Sequence, residues 1–284
     1  MAYLGGRARR GSGCYDSLMA YASINGQRIY FEDSGGDGPA VVLAHGFLMD
    51  HTMFEHQRTA LTPEFRLITW DERGFGLTET DGAPFSYWDS AADCVGLLDH
   101  LGLDSAIIGG MSQGGFLSLR VALSAPNRVR ALVLLSTQAG VEDAEALAGF
   151  QGMIDTWVAV GPVDPLVEGV AALILNDPTE NARWIAIWKE RAARLGNGIM
   201  EQPGACLITR DDVTARLGEI TCPAIVIHGA DDHGIPIERA QQLAAGLSNC
   251  KGFVTVPGAA HAANLTHPND VNPPLLSFLR SVVS

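Results

Sequence analysis

From Tyr21 to Asp33 the chain alternates apolar and polar residues, YASINGQRIYFED, about the dipeptide Asn25-Gly26. Such alternation marks a strand with one buried face, and Asn-Gly suits the positive-φ positions of a tight hairpin turn, so two antiparallel strands are predicted. Further along, the alternation gives way to compact apolar runs: AVVLA (40–44), FRLITW (65–70), SAIIGG (105–110), ALVLLS (131–136), AIVIHG (224–229) and GFVTVPG (252–258). Each has the length of a strand and is apolar on both faces, as expected of a strand covered by helices above and below.

Helical patterns fill several of the gaps. SYWDSAADCVGLLDHLGL opens with a capping-box pair, Ser86 and Asp89, and places Ala91, Val95 and Leu98 on one face. The segment after Ser112 keeps helical character until Pro126 stops it. Strands and helices alternating in this way predict an α/β fold with a mostly parallel sheet flanked by helices. One interval breaks the rhythm. Between Gly140 and about Asp212 no strand signal occurs, and helices separated by GPVDP and NDPTEN carry Trp157, Trp184 and Trp188. The expected organisation is therefore a disordered extension (1–19), an α/β core (20–140 and 213–284) and a helical cap, or lid, inserted between two strands (141–212).

Composition narrows the function. The 284 residues are 47% hydrophobic and 18% charged, which suits a soluble domain with a large core. A formal net charge of −13 argues against nucleic-acid binding, which needs a basic surface. Five scattered cysteines form no CxxC pair, and the odd number speaks for a reducing compartment. No apolar run is long enough to span a membrane. The opening residues carry Arg7, Arg9 and Arg10 but no apolar stretch behind them, so they do not make a secretory signal, and a cytoplasmic location is expected. The histidines show no metal-binding spacing, and neither metal nor cofactor is predicted. The expected partner is a small-molecule substrate; the choice between monomer and homodimer stays open.

The candidate chemistry lies in IIGGMSQGGF (107–116), where Ser112 is set among Gly109, Gly110, Gly114 and Gly115 at a strand-to-helix junction. On so tight a turn, side chains two residues before and after the serine would collide; glycine at 110 and 114 relieves this and lets the hydroxyl stand clear. The helix that follows aims its N-terminal N–H groups at the reacting centre. A serine hydroxyl is a poor nucleophile without a neighbouring base, and that base needs an orienting carboxylate. Two later strands end in suitable residues: HGADDHGIP supplies Asp231 and Asp232, and PGAAHAAN supplies His261.

From about Ala20 onward the chain resembles the α/β-hydrolase superfamily, on the motifs HGF (45–47), DERGFG (71–76), GMSQG (110–114), HGADDHGIP (228–236) and GAAH (258–261). The resemblance implies a catalytic triad of Ser112, Asp232 and His261, with Asp232 at the family's spacing and Asp231 left to the turn. It implies an oxyanion hole made by the backbone N–H groups of Phe47 and Gln113. His45 would steady the oxyanion loop, Asp71 and Arg73 would form a conformational pair, and His267 would be structural. The remaining histidines, His51 among them, are read as surface or packing residues. Phe47, Met111, Met153, Trp157, Trp184 and Trp188 are candidates for the substrate pocket, the tryptophans having packing of the lid as their other reading. The implied reaction is two-step ester hydrolysis through an acyl-enzyme. LMDHTMFEHQ (48–57) also resembles enol-lactonases, so a lactonase is the nearest rival. A carbon–carbon bond hydrolase, a perhydrolase and a non-hydrolytic small-ligand receptor are further alternatives.

Overall fold

The computed structural model describes residues 18–283. Its strands are β1 (Leu18–Ile24), β2 (Gln27–Asp33), β3 (Ala40–Ala44), β4 (Arg66–Trp70), β5 (Ala106–Met111), β6 (Val129–Leu135), β7 (Ala224–Gly229) and β8 (Cys250–Val256). Around them run α1 (Glu55–Leu61), α2 (Tyr87–His100), α3 (Gln113–Ser124), α4 (Ala144–Val160), α5 (Asp164–Ile174), α6 (Pro178–Leu195), α7 (Glu201–Ile208), α8 (Ile237–Gly246), α9 (Ala263–Thr266) and α10 (Pro268–Val283). The sheet order is β1-β2-β4-β3-β5-β6-β7-β8. The first two strands pair antiparallel and β2 lies antiparallel to β4; every pairing from β4 across to β8 is parallel.

The hairpin turns where the alternation predicts, with Asn25 at φ 48° and Gly26 at φ 80° between the paired Ile24 and Gln27. Its first strand begins earlier than expected. Leu18 and Met19, assigned to the extension, pair in register with Asp33 and Glu32, so the sheet claims the end of that segment. Residues 1–17, with Cys14, lie outside the described residues.

Each inner strand feeds two cores because successive side chains point to opposite faces. Val42, Ile68, Ile108, Leu134 and Val226 pack with Cys94 and Leu97 of α2 and Phe116 and Leu119 of α3. Val41, Leu43, Ile107, Val133 and Ile227 pack with Leu61 of α1 and with Leu275 and Leu279 of α10. The last strand departs from expectation: β8 is the sheet edge, and only Val256 of its residues is fully buried. The capping box is present at α2, where the Asp89 carboxylate accepts the Ser86 N–H at 2.8 Å.

Between β6 and β7 the chain forms α4 to α7 and no strand. No helix among the described residues is long and apolar enough to cross a membrane. Cys94, Cys206, Cys222 and Cys250 are free thiols.

Candidate active site

Ser112 joins β5 to α3 with φ 54° and ψ −114°, a conformation that L-residues rarely adopt. The flanking glycines are required by space. A Cβ on Gly110 would stand 2.4 Å from the Ala44 carbonyl oxygen and 2.6 Å from the Gly114 carbonyl carbon, while one on Gly114 would stand 2.0 Å from that same Ala44 oxygen. The collision predicted between the two sides of the turn is thus joined by a second, against the end of β3. The turn is fastened from below: the Ser112 N–H donates to Leu135 O at 2.9 Å, and the Thr137 hydroxyl donates to Ser112 O at 2.7 Å.

The loops after β7 and β8 bring Asp232 to His261. His261 Nδ1 lies 2.7 Å from Asp232 Oδ2, and Asp232 Oδ1 accepts the N–H groups of Gly234 at 2.9 Å and Ile235 at 2.8 Å. Burial works against ionisation of Asp232, but the charge and hydrogen bond of His261 prevail and hold its carboxyl below the usual range. Asp231 is exposed and binds through its backbone, its N–H donating to Ala259 O at 2.9 Å. With Nδ1 engaged, His261 keeps Nε2 for proton exchange. Ser112 and His261 line one cavity; among the described residues no hydrogen bond joins them.

The HGF loop passes close over this turn: a Cβ on Gly46 would meet Met111 Sδ at 2.6 Å and Ser112 Cβ at 3.7 Å. His45 Nδ1 donates to Gly46 O at 2.8 Å, and its Nε2 accepts the Glu72 N–H at 3.0 Å. Both contacts fit the neutral ring, which burial favours by lowering the His45 pKa. The Gln113 side chain points away from the cavity, its Nε2 donating to Glu72 Oε1 at 3.0 Å and its Oε1 accepting the Tyr87 hydroxyl at 3.2 Å. Only the backbone of Gln113 is therefore available to a substrate. Glu72 ties both loops together, and its fully buried carboxyl is pushed well above the usual range by desolvation and by the nearby Asp93 and Asp71. Sequence reasoning missed Glu72, because its partners lie far along the chain.

The cavity holds about 640 Å³ of empty space, its open mouth included. Phe47, Met111 and Met153 line it, together with Phe150 of α4, Leu173 of α5 and Leu207 of α7. The tryptophans do not. Trp157 and Trp188 pack edge-to-face at 6.1 Å, Trp188 Nε1 donates to Leu48 O at 2.8 Å, and Trp184 is fully buried. Their rings fasten the inserted helices to the loop beneath, which corrects their assignment to the pocket. The reading of Asp71 and Arg73 as a pair is corrected too. Arg73 Nη2 donates to Asp93 at 2.8 Å, whereas Asp71 accepts the backbone and ring N–H groups of His51 at 2.7 and 2.8 Å. His51 is accordingly a buried ion-pair residue. Asp50, His51 and Asp71 bring three donor atoms within 4.8 Å, but His51 Nδ1 and Asp71 Oδ1 are already engaged with each other. One carboxylate in the cavity wall, Glu142, carried no signal in the sequence.

Residues 39–268 match the alpha/beta hydrolase fold family. A thermophilic esterase from Thermogutta terrifontis superposes with a TM-score of 0.83 at 27% identity, over 95% of this chain and 100% of that one. The enol-lactonase from Burkholderia xenovorans LB400 also gives a TM-score of 0.83, at 22% identity over 92% of this chain and 99% of that one, a likeness of fold. A Synechocystis sp. protein provisionally named non-heme chloroperoxidase is 29% identical over 267 residues, covering 89% of this chain and 95% of that protein.

Proposed function

The chain belongs to the α/β-hydrolase fold family, and on that premise we propose that it is a serine hydrolase that cleaves carboxylic esters through an acyl-enzyme. The observation that carries this reading is the Asp232–His261 contact of 2.7 Å at the wall of the cavity that also receives Ser112. Asp232 holds the imidazole with its proton on Nδ1, so Nε2 is the basic nitrogen. Nε2 takes the Ser112 proton as the oxygen attacks the ester carbonyl, and the N–H groups of Phe47 and Gln113 receive the oxyanion. The same nitrogen returns the proton to the leaving alcohol, and water then cleaves the acyl-enzyme by the same steps. Catalytic hydrogen bonds in unliganded sites are often long and tighten in the substrate complex, which fits a Ser112 hydroxyl not yet bonded to His261.

The esterase from Thermogutta terrifontis, at 27% identity, supports ester chemistry, and the apolar cavity wall suits an apolar acyl group. The test is a series of p-nitrophenyl esters of graded acyl length beside several lactones, with Ser112→Ala as control and a fluorophosphonate as covalent label. Ester turnover and labelling that vanish in Ser112→Ala are expected. Retained ester hydrolysis in that variant overturns the assignment, and turnover of lactones alone makes the enzyme a lactonase.

A further inference from the structure

The cavity beside Ser112 is walled by hydrocarbon and thioether groups, Phe116, Phe150, Met153 and Leu207 among them, with one carboxylate in its lining, Glu142. Glu142 precedes α4, and its side chain is 9% exposed. Its Oε1 accepts Arg210 Nη2 at 2.6 Å and Gln138 Nε2 at 2.9 Å. Its Oε2 is buried and accepts no hydrogen bond from the described residues. Arg210, whose side chain is 2% exposed, is held in place by more than this pair. Its Nη1 donates to Leu207 O at 2.9 Å, its Nη2 lies 3.3 Å from Gly140 O, and its guanidinium stacks 4.3 Å from the centre of the Phe116 ring. Arg210 Nε has no partner among the described residues either, yet these contacts keep the guanidinium from swinging to pair with Oε2.

A buried acceptor left unpaired costs about 1–3 kcal/mol, and more when it is charged. A ligand in the cavity that displaces the side chains covering Oε2 and brings a donor to it removes that cost. Charge decides which kind of donor. Glu142 and Arg210 cancel, so an ammonium would leave one positive charge uncompensated among apolar walls, and a carboxylate would add a negative one. A neutral O–H or N–H leaves the balance intact.

Resting on the reading of the site as an esterase, we infer that Glu142 is a specificity-determining residue of this cavity. The preferred ester carries a neutral hydrogen-bond donor, a hydroxyl or an amide N–H, on an otherwise apolar chain.

Binding tests this without requiring turnover. The Ser112→Ala protein is titrated calorimetrically with methyl hexanoate, its 3-hydroxy and 6-hydroxy analogues, methyl 6-acetamidohexanoate and methyl 6-aminohexanoate. At least one hydroxy or acetamido ester is expected to bind about tenfold or more tighter than methyl hexanoate, the scale of a hydrogen bond to a charged acceptor. The ammonium ester is expected to gain nothing. Adding Glu142→Gln, which sets an amide where the free carboxylate oxygen stood, is expected to reduce that preference several-fold. A crystal structure of the Ser112→Ala complex is expected to place the ligand's donor within hydrogen-bond reach of Glu142 Oε2, and it decides the matter if the double variant does not fold. Equal binding across the series, a preference that survives Glu142→Gln, or a donor bound elsewhere overturns the subsite. Failure of the esterase reading has a different signature: the wild-type protein turns over none of these esters, whatever their binding.

Discussion

Gln113, the residue that follows Ser112, donates its side-chain amide to the Glu72 carboxyl at 3.0 Å. Glu72 is fully buried with no cation among the described residues bonded to it, so its folded form favours the protonated acid. Above the ordinary carboxyl value of 4.5 the unfolded chain loses this proton while the folded chain keeps it. Stability from this group therefore falls as pH rises towards the raised folded value. Glu72→Gln is expected to flatten that decline and to raise the melting temperature at pH 8, measured by thermal melts from pH 5 to 9. Glu72→Ala leaves the Gln113 donor unpaired and is expected to cost about 1–3 kcal/mol at pH 5, a loss that shrinks as pH rises.

His51 behaves as a buried cation. Burial opposes its charge, but hydrogen bonds to Asp71 and Glu32 outweigh it and raise the pKa to about 10 from 6.5. A raised value means that the stabilisation is complete below about pH 6.5 and disappears as pH climbs through about 10. His51→Gln is expected to destabilise the protein by about 3–5 kcal/mol at pH 6, the usual cost of breaking a buried pair. The loss shrinks towards pH 10. Urea titrations at the two pH values check this.

Asp231 and Asp232 are neighbours in sequence with different surroundings. Asp232→Asn is expected to lower kcat about 10⁴-fold, as loss of the orienting carboxylate does in other serine triads. Asp231→Asn, on an exposed side chain, is expected to stay within a few-fold of wild type. Steady-state kinetics on the best p-nitrophenyl ester separates the two, and the reverse pattern would transfer the role to Asp231.

Ser112 sits at φ 54° and ψ −114°, where a non-glycine residue costs about 1–3 kcal/mol. Ser112→Gly is expected to raise stability by about 1 kcal/mol while ester turnover disappears, which denaturant melts and kinetics measure together. A variant no more stable than Ser112→Ala would mean that the turn stores no strain.

Much of this architecture was legible because local rules govern it. Alternation about Asn25-Gly26 gave the hairpin, and the apolar runs gave the inner strands; β8 was misjudged because its composition matches theirs and only sheet order makes it an edge. The glycines flanking Ser112 were legible from the turn itself, although their closest clash, with Ala44 O, comes from a strand far back in the chain.

The chain by itself determined the order of strands and helices, the strained turn at Ser112 and the carriers of a carboxylate and an imidazole, since each rests on neighbours in sequence. Tertiary structure alone decided which groups meet. It joined Arg73 to Asp93 and His51 to Asp71, turned Trp157 and Trp188 towards each other, and put Glu142 in the cavity wall. Helical spacing shows which residues share a face but not what that face meets, and a charged side chain takes whatever partner folding brings within reach.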